Sequence, residues 1–249
     1  MFDTERAKVK FTQSGLKIVL IFFLIILFLI PISYIKNLIN DRRNYQRDAV
    51  ASITEPLGGK PEIQGMVLVI PYKVYFEKID VTGNKHIETS IKHIYFAPDN
   101  YSMDIHITPY YLTRGIFKVP VFNGEILLDS KFNDFDTSHF KIAEKDIVWD
   151  EAVLMLGLSS TKNLTASPLF KIGANNLTIS SIKYDSISPF KDTVYYNIPK
   201  DYLTNGLHLK GSFTIQGGEE IKIQPIASSN RIKMTSNWPT PGFSGGWLP

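Results

Sequence analysis

The chain carries five histidines, His86, His93, His106, His139 and His208. It also carries three close sets of carboxylates, Asp134/Asp136, Asp150/Glu151 and Glu219/Glu220. Histidine and carboxylate are the side chains of proton transfer and metal ligation, so a reaction would start at these positions. Their spacing argues against one. No HExxH or other paired-ligand arrangement joins the histidines. A metal site would need the fold to gather distant residues, and exposed strand positions account for all five. Each carboxylate set lies beside a turn signal or in a polar stretch, where solvated acids are commonplace. There is no phosphate-binding P-loop or dinucleotide fingerprint. The lack of cysteine excludes disulfides, zinc–thiolate sites and thiol nucleophiles, and suits an exported bacterial domain stabilised by packing. The residues nominate no catalytic, cofactor-binding or metal-binding set, and the expectation is a protein without enzymatic activity.

Compartment is set by Ile18–Ile35, IVLIFFLIILFLIPISYI, which contains no charge. At about 1.5 Å per residue it makes a helix of roughly 27 Å, close to the hydrocarbon thickness of a bilayer. It lacks the polar stripe that a helix of a soluble core shows. Pro31 falls near its end, where loss of one backbone donor is least disruptive. A cleaved signal peptide is the other reading. The run is longer than a usual h-region, however, and Ser33-Tyr34-Ile35-Lys36 offers no small-x-small cleavage site. An uncleaved anchor is expected. Arg6, Lys8, Lys10 and Lys17 precede it, and Lys36, Arg42, Arg43 and Arg47 follow it, so the positive-inside count is tied. The short tail decides: residues 1–17 stay in the cytoplasm and the long remainder is exported. Net charge is +3 with dispersed lysines, which excludes nucleic acid as a partner and leaves the lipid bilayer and other envelope proteins.

A helical period continues after the span. Ile35, Leu38, Ile39, Tyr45, Ala49, Val50 and Ile53 recur at three- and four-residue steps opposite Asp41, Arg42, Arg43, Arg47 and Asp48. This predicts a juxtamembrane helix over 36–57, stopped by Pro56 and Gly58-Gly59. Its arginines either touch headgroups or form a solvated face; both readings stand.

From Met66 the period becomes two. Met66–Ile70 reads as a buried strand, and Tyr101, Met103, Ile105 and Ile107 alternate with Ser102, Asp104, His106 and Thr108. Further strands are expected at Val74–Ile79, His86–Phe96, Ile116–Val121, Glu125–Phe132, Leu177–Lys183, Leu207–Gln216 and Glu220–Pro225. Turn signals at Thr82-Gly83-Asn84, Asn123-Gly124, Asn205-Gly206 and Gly217-Gly218 punctuate them. Asp150–Leu158 suits either a short helix or a strand. The fold class is therefore mainly β: an N-terminal transmembrane helix and juxtamembrane helix, then an antiparallel, sandwich-like exported domain over 58–249.

Sixteen Phe, twelve Tyr and three Trp include a closing aromatic run from Trp238 to Pro249. Trp238, Phe243 and Trp247 would serve a ligand groove or a membrane interface, or pack a Pro/Gly-shaped loop onto the sandwich. No ionisable side chain lies within the run, so proton transfer from it is implausible and a structural role is expected.

Thr235–Pro249, TSNWPTPGFSGGWLP, resembles the S-x-W-x-x-P-x-F-x-G-x-x-L-P motif of the CreD family of inner-membrane, cell-envelope integrity proteins. Ile30-Pro31-Ile32, Arg43–Arg47, Gly65–Pro71, His93–Pro98, Arg114–Phe117 and Leu209–Ser212 are similar to family segments in the same order, from about Leu16 onward. The resemblance implies a periplasmic β domain followed by further membrane helices, and a role in envelope integrity and responses to wall-active antibiotics. It brings no catalytic residues. No second apolar run of comparable length exists here, so the chain is expected to be the N-terminal part of such a protein. The rival expectation is an anchored enzyme or carrier acting on an envelope glycan or lipid.

Overall fold

The computed structural model describes residues 3–79, 84–133, 135, 137, 140–180, 187–203 and 206–245. The chain divides into two units, Met1–Val50 and Ala51–Pro249.

The first unit is helical. Helix α1 runs from Asp3 to Thr54, 52 residues without interruption, with Pro31 inside it. The tail, span and juxtamembrane segment expected separately are one helix. A proline costs an interior helix one hydrogen bond and a clash, which a long apolar segment tolerates by local adjustment. Every side chain from Ile18 to Leu29 is 44–67% exposed. The most apolar 18-residue window of the helix has a mean hydropathy of 3.1 and meets the length and composition of a membrane span. Ile35, Leu38, Ile39 and Tyr45, expected on an apolar side, are exposed as well.

The second unit begins with the last turn of α1 and a 3-10 turn, Glu55–Leu57. Gly58 and Gly59 end the helix with φ of 86° and 77°, a left-handed path open to glycine, and their N–H groups donate to the Glu55 and Thr54 carbonyls. The buried Asn163 then donates to the carbonyls of Leu57, 2.9 Å, and Gln216, 3.2 Å, tying this exit to the β unit.

The described strands are β1 (Glu62–Ile79), β2 (Lys85–Phe96), β3 (Asn100–Arg114), β4 (Phe117–Phe132), β5 (Val153–Leu158), β6 (Leu169–Ile172), β7 (Asn175–Asn176), β8 (Asp192–Asn197), β9 (Leu207–Gly218), β10 (Lys222–Ile223) and β11 (Ser229–Ser236). One sheet has the order β10-β1-β5-β8, with β2 also paired to β1; the other has the order β11-β3-β4-β9-β6-β7. Ladders are antiparallel except β1–β10 and β3–β11, so the layers are mixed rather than purely antiparallel. The core lies between the sheets. Met66, Leu68, Ile70, Leu154 and Leu156 come from the first sheet, and Met103, Ile105, Ile126, Leu128, Leu209 and Phe213 from the second. Phe170 and Tyr196 meet edge to face at 4.9 Å, and the Tyr196 hydroxyl donates to the Pro168 carbonyl.

Where structure and sequence pattern differ, the reason is tertiary. Met66–Ile70 and Val74–Ile79 are one strand, β1. Asn123-Gly124 does not turn but lies inside β4, opposite Gln216 and Ile215. The hydrogen in place of a side chain at Gly124 leaves room for Ile107 and Ile215, whose carbons stand 3.1 Å from where a Cβ would be. The hairpin turn is instead Gly115-Ile116, with Gly115 at φ 58°. Gly217-Gly218 ends β9 rather than forming a hairpin, because Pro61 and Thr54 pack where Cβ atoms would stand. Leu177–Lys183 is no ladder strand over its described part, which makes a single bridge from Ile179 to Tyr196. Residues 181–183 lie outside the described residues. Asp150–Leu158 proves to be both alternatives in turn, a 3-10 turn at Trp149–Glu151 and then β5. Strand β11, absent from the sequence reading, completes the second sheet.

Candidate functional site

The pleat of the second sheet sends alternate side chains outward, and register decides which meet. Thr235 of β11, His106 of β3, Glu125 of β4 and Thr214 of β9 stand in one row across four strands. Lys233, Asp104, Leu127, Ser212 and Leu169 form the next row. Together with Ala166 and Ser167 these rows line a groove of about 540 Å³ on the outer face. Residues of four strands, brought together from distant stretches of chain, thus share one wall.

Hydrogen bonds fix the lining. Nδ1 of His106 lies 3.1 Å from Oγ1 of Thr235, whose hydroxyl donates to the Ile105 carbonyl at 3.3 Å. The hydroxyls of Thr165 and Thr214 are hydrogen-bonded to one another. Lys233 Nζ sits 3.6 Å from Asp104 Oδ1, with both side chains largely exposed, so the pair contributes little to stability. Leu127 and Leu169, 63% and 60% exposed, give the groove an apolar strip. Hydroxyls, two acids, a lysine and an imidazole beside aliphatic carbon make a hydrogen-bonding surface suited to a polar ligand with one apolar face.

The other candidates do not converge on this groove. His208 pairs with Asp129 at 2.9 Å, both exposed, and His86 is exposed on β2. His93 is half-buried; desolvation lowers its pKa, with the Glu151 charge opposing. Asp150 and Glu151 sit exposed on their 3-10 turn. Glu219 and Glu220 hold Lys60 at 2.8 and 3.4 Å, and the hydrogen bond and charge of Glu219 raise the Lys60 pKa. Asp134, Asp136 and His139 lie outside the described residues. Among the described residues no group of three or more His, Asp or Glu is arranged to hold a metal ion.

The aromatic tail is separate from the groove. Trp238 is half-buried, with its ring 6.1 Å from that of Tyr111 and its backbone N–H donating to Ser236 Oγ. Phe243 is 75% exposed, and Trp247 lies outside the described residues. Asp104, Glu125, Thr214 and Thr235 were not singled out by sequence. The alternation over Tyr101–Thr108 places Asp104 and His106 on one face, but no local signal gives their partners on β4, β9 and β11.

A family described as Inner membrane protein CreD matches residues 13–249. The chain is 22% identical over 236 residues to the Inner membrane protein CreD of Escherichia coli (strain K12), an alignment covering 94% of this chain and 51% of that protein. The chain therefore spans about half the length of the curated relative it matches. No solved structure matches it.

Proposed function

The chain belongs to the CreD family of inner membrane proteins, and from that premise we propose that it is a non-enzymatic component of the cell envelope. In this reading α1 is the anchor and the β unit stands on the periplasmic side, where it buttresses or senses the envelope. One observation carries it: a helix whose exposed apolar run has the length and composition of a membrane span leads directly into a packed two-sheet unit. The groove supports a binding role more than a catalytic one. Its lysine pairs with one of its two acids, and Trp238 packs beside Tyr111 rather than over the carboxylates.

The groove also favours a second reading, an anchored enzyme or carrier for an envelope glycan or lipid, because Asp104, His106 and Glu125 share its wall. A complementation experiment separates the two. Cells lacking the gene should become more sensitive to wall-active antibiotics, and the Asp104→Asn/Glu125→Gln double variant should restore resistance as the native chain does. Turnover of an envelope glycan or lipid by the purified native chain, lost in the folded double variant, would overturn the non-enzymatic reading in favour of the second. Orientation is read from a reporter that requires export, fused after Pro249. Activity is expected, and activity of a cytoplasm-only reporter at that site would reverse the topology.

A further inference from the structure

Register also sorts charge on the open face of the second sheet. One pleat beyond the groove's second row, that face carries Arg231, Ser102, Asp129, Lys210 and Lys171 in line from β11 to β6. In the row after it, Lys131 of β4 stands opposite His208 of β9. At ~3.4 Å per residue, Lys210 and Lys171 lie about 7 Å along their strands from Ser212 and Leu169, which line the groove. Lysines dispersed along the sequence are thereby gathered at one end of a recognition surface.

Lys171 and Lys210 are exposed and directly opposite one another. Like charges in that position repel, at a cost to the sheet. Two cross-strand lysines elsewhere in the unit are set against acids, Lys78 against Glu88 and Lys233 against Asp104. Among the described residues, Lys131, Lys171, Lys210 and Arg231 have no such partner. Asp129, the acid of their row, lies 2.9 Å from His208 Nε2 instead. Glu125, in the groove's first row, is also without an ion pair among the described residues, about 14 Å along the strands from the lysines. The face therefore runs from an acid, over hydroxyls and the Leu127–Leu169 strip, to a concentration of unpaired cations.

A ligand that matches this order has three parts. Its hydroxyls donate to Glu125 and exchange hydrogen bonds with Thr214 and Ser212. A C–H face lies on Leu127 and Leu169, and an oxyanion extends past them. An acyl chain would leave the hydroxyls unused and, in a groove this open, would stay wet. A sugar ring has both the hydroxyl edge and the C–H face. We propose that the open face of the second sheet binds an anionic saccharide, its ring in the groove and its phosphate or carboxylate between Lys171 and Lys210. Such binding rests on the groove's role as a recognition surface and adds the charge of the ligand.

Glucose, glucuronate and glucose 6-phosphate share one ring and differ only at C6, so they separate ring from charge. Each is titrated against the full chain in phosphatidylcholine nanodiscs by saturation-transfer NMR. At low salt the two acidic sugars should bind about fivefold or more tighter than glucose, and the stronger of them identifies the oxyanion. The gain should vanish at about 0.5 M salt and in Lys171→Gln/Lys210→Gln. Lys171→Glu should also abolish it while raising the melting temperature by about 1–4 °C, because an opposed pair of lysines becomes an ion pair. A fall in melting temperature would show that the lysines serve the fold. Equal affinity for all three sugars, lost in Leu127→Asp, would overturn the proposal and leave the groove's binding role standing. No binding of any of them would strike both. Inorganic phosphate binding as tightly as glucose 6-phosphate would reduce the site to a bare oxyanion site and overturn the saccharide.

Discussion

The two sheets solve burial differently. In the first, β1 from Met66 to Pro71 and all of β5 are buried on both faces. Its inner side chains join the main core. Its outer ones, Val67, Val69, Val153, Met155 and Tyr195, form a second cluster roofed by Ile187, Phe190 and Ile226. Phe190 lies directly on Gly157, and Ile226 on Gly65. In the second sheet only the inner face is covered, and the outer rows from β11 to β6 face water with acids, hydroxyls and the groove. The doubly covered stretch has no surface left for a ligand, so it serves as scaffold, whereas the outer rows of the second sheet stay open to one. The lesson is that an unbroken apolar strand marks support, whereas an alternating one marks where chemistry is permitted.

If that division holds, substitutions should separate by sheet. The largest effect is expected at Leu154, fully buried in β5: Leu154→Ala should destabilise the unit by about 2–5 kcal/mol in denaturant unfolding in detergent, whereas Leu127→Ala on the open face should change it by about 0.5 kcal/mol or less. Equal costs at the two positions would erase the distinction. Next comes Gly157→Ala, whose Cβ would stand 2.2 Å from the Phe190 ring. Displacing that roof should cost about 1–3 kcal/mol and raise protease cleavage near Phe190. If cleavage stays unchanged, the roof is not fixed by this contact.

A smaller effect concerns pH. Burial favours neutral His93, so the unfolded chain binds its proton at higher pH than the folded one does. The stability this group contributes is present above its ordinary pKa of 6.5 and is lost as pH falls below it. His93→Gln should flatten the decline of melting temperature on acidification; an identical slope would exclude His93 as its source. The smallest effect is expected inside the core of the open sheet. Tyr101 and Ser130 face each other across β3 and β4, both buried, and neither hydroxyl has a hydrogen-bond partner among the described residues. Burial raises the Tyr101 pKa. Removing the unmatched hydroxyl in Tyr101→Phe should leave stability within about 1 kcal/mol of native, or raise it. A loss well beyond that would reveal a partner for the hydroxyl.

Local patterning in this chain made some features legible and not others. Ile18–Ile35 and Met66–Ile70 declared themselves because burial in lipid or between layers requires nothing beyond a run of apolar residues. Tyr101–Thr108 showed its two faces by alternation alone. Asn123-Gly124 misled because that pair suits a hairpin equally well as a strand crowded by Ile107 and Ile215, and only packing distinguishes them. Strand β11 was overlooked although Ile232 and Met234 alternate with Arg231, Lys233 and Thr235. Its exposed, charged edge position weakens the apolar signal, and its partner lies far away in sequence. The groove was hidden for the same reason. His106 was visible, but its meeting with Thr235 and Glu125 is a consequence of register, which no single segment encodes.

The parallel pairing of β11 with β3 has a consequence for the order of assembly. His106 meets Thr235 across 129 positions, and the ladder runs from Asn100↔Ser229 to Ser236↔Ile107. A chain made from its N-terminus presents β3 with one hydrogen-bonding edge bare until Ser236 has been synthesised. Closure of so distant a contact is slow, because a long loop must be ordered before it is rewarded. During that interval the bare edge invites pairing with foreign strands, a hazard that the fold meets late and with a strand bearing Arg231 and Lys233. The unit therefore matures last at the groove, whose wall exists only once the rest of the sandwich is complete.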